Sequence, residues 1–202
     1  MYLDNCCFLT VEWKSDSVIN EVKIEKKTKK VKPEYEIGDL VVYGSNGVCR
    51  VEEITRLVMP GTNKKGKYYC LVPVDSTTSR IFALVGQDKI KIRRIISKEE
   101  ALELIESVTD IPELNIISDK TREDQYKSAL RSCNCREWFS IIKTLYNRNK
   151  ARVENGRKIT STDERYLKEA KRNLYTELAV VLDRDKDEIE DFITEKALET
   201  DD

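Results

Sequence analysis

Ile37-Gly38-Asp39-Leu40-Val41-Val42-Tyr43-Gly44-Ser45-Asn46-Gly47-Val48-Cys49-Arg50-Val51 is the stretch that decides the fold. Leu40 to Tyr43 is a short apolar run. A second run opens at Val48 and continues to Val58 through Val51, Ile54 and Leu57, set among polar residues. Between them Ser45-Asn46-Gly47 offers the positive φ angles of a tight turn, and Asn-Gly is the strongest short-range hairpin signal. Working outward, Pro60 to Gly66 reads as a loop, Tyr68 to Val74 as an aromatic and β-branched strand, and Asp75 to Ser79 as a turn. Ile81 to Val85 reads as another strand, and Ile90 to Arg94 alternates as a half-buried one. Five short strands in succession predict a small, strongly curved all-β barrel of the SH3 or Tudor kind.

The period then changes from two to 3.6. Ser97-Lys98-Glu99-Glu100 is a capping box, and Ala101, Leu102, Leu104, Ile105 and Val108 give the apolar stripe of a helix behind it. Pro112 ends that pattern. Asp119 is placed to cap a second helix running to about Ser132. A third, from Arg136 to about Glu154, carries Trp138, Ile141, Ile142 and Leu145 at i, i+3, i+4 and i+7, which makes Trp138 a core residue, and Gly156 suits its end. Thr160 to Glu164 starts a fourth with Leu167, Ala170, Leu174, Leu178 and Val181 as its buried stripe. Asp183 or Asp185 caps a last one containing Ile189, Phe192 and Ile193. The fold expected is therefore two domains: a barrel over 35–95, then an all-α helical bundle over 96–199. Residues 1–34 lack sustained periodicity and end in a basic run, Lys26 to Pro33, so they read as a poorly ordered extension.

Composition narrows the function classes. With no histidine, the chain has no Ser-His-Asp or Cys-His catalysis, no His-ligated zinc and no ordinary general base near neutral pH. The six cysteines, Cys6, Cys7, Cys49, Cys70, Cys133 and Cys135, do not adopt metal-knuckle spacing, and they read as reduced thiols. No glycine-rich phosphate loop and no motif-placed carboxylate pair is present, so the expectation is a protein that is not an enzyme and needs no cofactor or metal. No apolar run reaches the length of a membrane helix, and no signal core opens the chain, which places it in the cytoplasm and away from membranes; a monomer is the expected state. Net charge is only -1, but its distribution is uneven. From Lys120 to Leu182 there are 15 basic against 8 acidic residues, and from Asp183 to Asp202 there are 3 against 10. A basic helical block and an acidic tail fit a nucleic-acid surface, and equally a set of solvated helix faces.

The chain from about Tyr35 to Ala197 resembles the CarD/CdnL family of bacterial transcription regulators, and its barrel is also similar to the RNA-polymerase-interacting module of transcription-repair coupling factor. The resemblance rests on Gly38-Asp39, Val41-Val42-Tyr43, Gly47-Val48, Val51 and Tyr69-Cys70-Leu71-Val72-Pro73-Val74 in the barrel. In the helical half it rests on Tyr126 to Leu130, Ile142 to Tyr146, Glu164 to Leu167 and Glu177-Leu178-Ala179. The resemblance implies that the barrel holds the β subunit of RNA polymerase by pairing an exposed strand edge with a partner strand. The matching strands are Ile54–Val58 and Arg80–Leu84, with Arg56, Leu57, Arg80 and Phe82 as contact candidates; Phe82 as barrel core and solvated arginines are the other possibility.

The resemblance further implies a helical domain on promoter DNA beside the melted region, with an aromatic wedge in the minor groove that stabilises the open complex. Here the chain departs from the pattern. Arg122 stands where the family's tryptophan does, four residues before Tyr126-Lys127, and Glu123 and Asp124 follow it. A guanidinium suits a narrow minor groove but is not an apolar wedge. Lys127 and Arg165 match family positions as DNA contacts. Arg148, Lys150, Arg152, Arg157 and Lys158 form a second basic cluster, either phosphate-facing or solvated. Two functions follow: a regulator that binds polymerase and, weakly and without sequence preference, promoter DNA; or a polymerase-binding adaptor whose helices take another protein.

Overall fold

The strand signals emerge as five antiparallel strands: β1 (Leu40–Tyr43), β2 (Val48–Val58), β3 (Lys65–Pro73), β4 (Ile81–Leu84) and β5 (Ile92–Arg94). Their order across the sheet is β4-β3-β2-β1-β5. The computed structural model describes residues 33–199 apart from 59–64, 77, 88 and 119. The extension expected over 1–34 thus lies outside the described residues as far as position 32, as does the expected cap Asp119.

The barrel curves because β2 bulges. Its pairing with β3 slips between Val51 and Glu53. Strict alternation would send Val51 and Ile54 to opposite faces. The extra residue resets the period, so both reach the barrel core beside Tyr35, Val41, Tyr43 and Leu71. The β1–β2 connection is a hairpin, as expected, but with a different turn. A short 3-10 stretch, Gly44–Asn46, precedes Gly47, and the positive φ angles fall on Gly44 (52°) and Gly47 (72°) instead of on Asn46. Asn46 instead donates its side-chain amide to the Tyr43 carbonyl at 3.4 Å.

Five α-helices follow: α1 (Lys98–Glu106), α2 (Arg122–Arg131), α3 (Cys135–Glu154), α4 (Ser161–Leu182) and α5 (Ile189–Glu199). The capping box is formed in both directions, with Glu100 N donating to Ser97 Oγ (3.2 Å) and Ser97 N to Glu100 Oε2 (2.7 Å). Between α2 and α3, Cys133 takes a left-handed φ of 53°, and Asn134 caps α3 by accepting from Arg136 N at 2.9 Å. The Cys-Asn-Cys spacing is therefore helix punctuation. Asp183 ends α4 in the left-handed region, and Asp185 caps the turn leading into α5. Trp138 is fully buried and its indole donates to the Leu130 carbonyl at 3.1 Å, which makes it core.

Barrel and helices share a seam within one compact unit. Val41 and Tyr43 point into the barrel, while Val42 and Val48 join the helical core. Burying each of these two valines stabilises the seam by about 1.5–3 kcal/mol. Beside them α4 reaches the sheet. The Glu177 carboxylate, fully buried, takes a bidentate pair from Arg93 of β5, with Nη2 to Oε2 at 2.8 Å. Ile96 N (3.0 Å) and the Cys135 thiol (3.2 Å) also donate to it. Arg93 in turn gives its Nε proton to the Cys133 carbonyl and lies 5.9 Å from the centroid of the Trp138 ring. Burial opposes its charge, but the adjoining Glu177 carboxylate outweighs that and holds its pKa above the ordinary arginine value.

One turn earlier, Asn173 lies against Gly47, where an added Cβ would sit 2.8 Å from its Oδ1, and Arg172 donates to the Ser45 carbonyl at 3.2 Å. Arg93→Met strands a buried carboxylate and is expected to lower stability by about 3 kcal/mol. That is the low end for breaking a buried pair, because the Arg93 side chain keeps 28% exposure. The double variant Arg93→Met/Glu177→Leu recovers most of the loss. Urea unfolding of the two proteins checks both values.

Candidate functional site

Two surfaces carry the residues singled out in the sequence. The first is the β4 side of the barrel. β4 is an edge strand, pairing with β3 through Tyr68↔Leu84, Tyr69↔Ala83, Cys70↔Phe82 and Leu71↔Ile81. Val85 N donates to Lys67 O at 2.8 Å, so by the alternation of an antiparallel ladder the N–H and C=O of Phe82 face away from β3. Ala83 and Val85 turn inward and are buried, which leaves the Phe82 side chain outward and 40% exposed. Of the two possibilities open in the sequence, Phe82 is therefore not barrel core. Arg80 is exposed and bridges to Glu52 at 3.1 Å. Arg56 and Leu57 lie elsewhere, toward the far end of β2, with β3 between them and the free edge. Arg56 there is exposed, and Leu57 is half-buried opposite Gly66. The structure brings Arg80 and Phe82 together on the free edge and holds Arg56 and Leu57 apart from them.

The second surface is the end of the helical half where α2 and α4 begin and α3 ends. Asp163, fully buried in the first turn of α4, receives Arg122 of α2 (Nε to Oδ1, 3.6 Å) and Arg148 of α3 (Nε to Oδ2, 3.3 Å). Only 19% of the Arg122 side chain is accessible. It serves as an internal clamp between helices, and in this arrangement it does not project as a groove-reading group. The Glu123 Oε1 atom collects three donors: Lys127 Nζ (3.2 Å), Arg165 Nη2 (3.1 Å) and Tyr166 OH (3.0 Å). Arg165 also stacks over Tyr166, 4.7 Å from its ring centroid. Hydrogen bonds from Lys127 and Tyr166 hold the Glu123 carboxyl below the usual glutamate range and, reciprocally, raise Lys127. Arg157 and Lys158 are exposed in the α3–α4 turn. Arg157 lines a shallow cavity with Arg148 and Arg152, and Arg152 donates to the Lys158 carbonyl at 3.0 Å.

Sequence reasoning missed Asp163 and Glu177, the acids that hold these arginines. The signal was present, since both fall on the Ala170–Leu174–Leu178 stripe of α4, where a carboxylate needs a buried partner.

Among the described residues no cluster of His, Cys, Asp or Glu could hold a metal ion, and Cys49, Cys70, Cys133 and Cys135 are unpaired and buried. Burial pushes the Cys49 thiol up to about 12 and raises Cys135 as well, so neither is a thiolate near neutral pH. Among the described residues no helix is long and apolar enough to cross a membrane.

The fold thus defines a small Tudor-like barrel with an open β4 edge, carried on a helical body. Residues 35–96 match the family model described as the CarD-like/TRCF RID domain, so the barrel is an RNA-polymerase-interacting module and the protein is transcription-related, with RNA polymerase as its partner. No curated protein matches the chain.

The lowered Glu123 pKa gives a prediction. Its ion pairs contribute above the unfolded-chain value of about 4.3 and are lost as pH falls through the lower folded value. Carboxyl-carbon NMR should find Glu123 titrating below the other exposed glutamates. Lys127→Met should move it upward; an unchanged midpoint would show that the pair carries no weight.

Proposed function

We propose that the protein is a transcription regulator that binds the β subunit of RNA polymerase through the β4 edge of its barrel and acts through its helices on promoter DNA beside the melted region, changing open-complex lifetime. It works by binding alone, without catalysis or a cofactor, as a cytoplasmic monomer. The observation that carries this reading is the match over residues 35–96 to a polymerase-interacting domain whose β4 edge strand presents the Phe82 backbone and side chain outward. Arg80 and Phe82 are the contacts that edge pairing favours; Arg56 and Leu57 add a second patch toward the far end of β2. On the helical side Arg157 and Lys158 are open to phosphates, whereas Lys127 and Arg165 reach them only by leaving Glu123.

That last observation favours a second reading, in which the helical half is an adaptor for another protein. Lys127 and Arg165, the cations at family-matching positions, and Arg122, which stands in the tryptophan's place, are all ion-paired within the fold. The two readings part on DNA.

A pull-down on the isolated β subunit tests the shared step. Arg80→Glu with Phe82→Ser should weaken capture at least tenfold, and Arg56→Glu less so. Wild-type strength in the double variant would remove the β4 edge from the interface. A forked promoter with a fluorophore at the upstream bubble edge, read with polymerase present, separates regulator from adaptor. Glu123→Gln/Asp124→Asn releases Lys127 and Arg165 and should strengthen the DNA response by roughly three- to fivefold if the helices touch DNA. It leaves the signal flat if they are an adaptor.

A further inference from the structure

The seam between barrel and helices leaves a groove of about 820 Å³, walled on one side by the β1–β2 turn and the segment before β5, and on the other by α2. Its lining is polar with cations in excess: Lys89 and Lys91 from the barrel, Lys127 and Arg131 from α2, Ser45, Asn46 and Ser128 between them, and one carboxylate, Asp124, beside Lys127. Lys89, Lys91 and Arg131 are exposed and form no ion pair among the described residues, unlike Lys127 at the same groove, which Glu123 and Asp124 hold. The walls are also fixed relative to each other. The Cys133 thiol, just past α2, donates to the Lys91 carbonyl at 3.5 Å across the seam, and within the barrel wall Gly44 N donates to the same carbonyl at 2.9 Å while Ile90 packs on Gly44, where an added Cβ would lie 2.8 Å from its Cγ2.

We propose that this groove is a track for the phosphodiester backbone of duplex DNA, with Lys89, Lys91 and Arg131 as its phosphate contacts, so that the barrel itself takes part in holding DNA. Unpaired cations on two rigid walls, interleaved with hydroxyl and amide donors, are the side-chain set that phosphate oxygens select. A protein partner would require an apolar centre, and Ile90 is the groove's single exposed large apolar side chain. The inference rests on the regulator reading above, and it moves the main DNA contacts from the family-matching cations, which are internally paired, to residues that reading did not use.

The test is anisotropy of a short fluorescent duplex titrated with the full-length protein across a salt series. Each phosphate contact contributes about 0.9 to the slope of log K against log salt. Lys89→Ala/Lys91→Ala/Arg131→Ala should therefore lower the slope by about two to three, while the charge-keeping Lys89→Arg/Lys91→Arg/Arg131→Lys retains it. All three sites are exposed, and matching thermal melts confirm that the variants fold. A wild-type slope in the alanine variant, with Arg157→Ala/Lys158→Ala now showing the loss, overturns the groove and leaves the DNA reading standing; an acidic protein is then the groove's remaining occupant. No binding by the wild-type protein at low salt overturns both.

Discussion

The Arg93–Glu177 pair is the constraint on which the rest of the architecture depends. A buried ion pair contributes little net stability, because desolvation offsets most of the Coulomb gain. It does impose geometry. Glu177 is enclosed by Arg93, Ile96 N and the Cys135 thiol, so any sliding of α4 along β5 leaves a buried charge short of donors. β5 pairs with β1, and β1 is buried on both faces, in the barrel through Val41 and in the helical core through Val42. One carboxylate on α4 therefore sets the register of the helices against the whole sheet. Asn173 against Gly47 and Arg172 on the Ser45 carbonyl repeat the restraint one turn away. The alternative arrangements excluded are those in which barrel and bundle swing as beads on a linker.

That rigidity gives the two surfaces a fixed relation. The β4 edge lies at the far side of the sheet from β5, which carries the seam. Strand addition at β4 extends the sheet outward and leaves the seam untouched, because main-chain pairing needs only the free edge and an outward side chain such as Phe82. The helices then stand at a set distance and angle from whatever strand is added.

Much of this fold was legible locally. Caps are short-range chemistry, and Ser97, Thr160 and Asp185 each act where the sequence places them. What failed to show locally was set by distant partners. Gly66 reads as loop, yet β3 begins at Lys65, because the far end of β2 pairs with it through Leu57↔Gly66 and Val58↔Lys65; the glycine is there because the Leu84 and Tyr68 side chains occupy the space a Cβ would need. The Asn-Gly pair marked the hairpin correctly, but the left-handed angles went to Gly44 and Gly47 because the connection is longer than two residues. On the functional side, the alternation of Ile81, Ala83 and Val85 was enough to turn Phe82 outward. The i, i+4 spacing announced the Glu123–Lys127 pair, and the α4 stripe announced that Asp163 needs a partner, but nothing local said that Asp163 would take Arg122 or that Glu123 would also take Arg165. Motif position named these cations; tertiary structure decided what they face.

The acids beside those cations make physical sense under the proposed function. A cationic surface left open binds DNA anywhere, with non-specific affinities of about 10⁻⁴–10⁻⁶ M. Under that function Glu123, by pairing Lys127 and Arg165, would push the free affinity toward the weak end of that range, while Asp163 draws Arg122 inward. Tethering to polymerase reverses the loss, because a short connection supplies an effective concentration on the order of millimolar. At that concentration even a contact with a 10⁻⁴ M constant is about nine-tenths occupied, whereas free protein at micromolar levels occupies about one site in a hundred. The internal acids would thus cost little where polymerase is bound and suppress wandering elsewhere. Such a scheme works only if the tether delivers the helices to one place, and a swinging linker would spread them over many. Under the proposed function, the buried carboxylate of Glu177, by holding the helices to the barrel, would be what lets weak DNA contacts be sufficient.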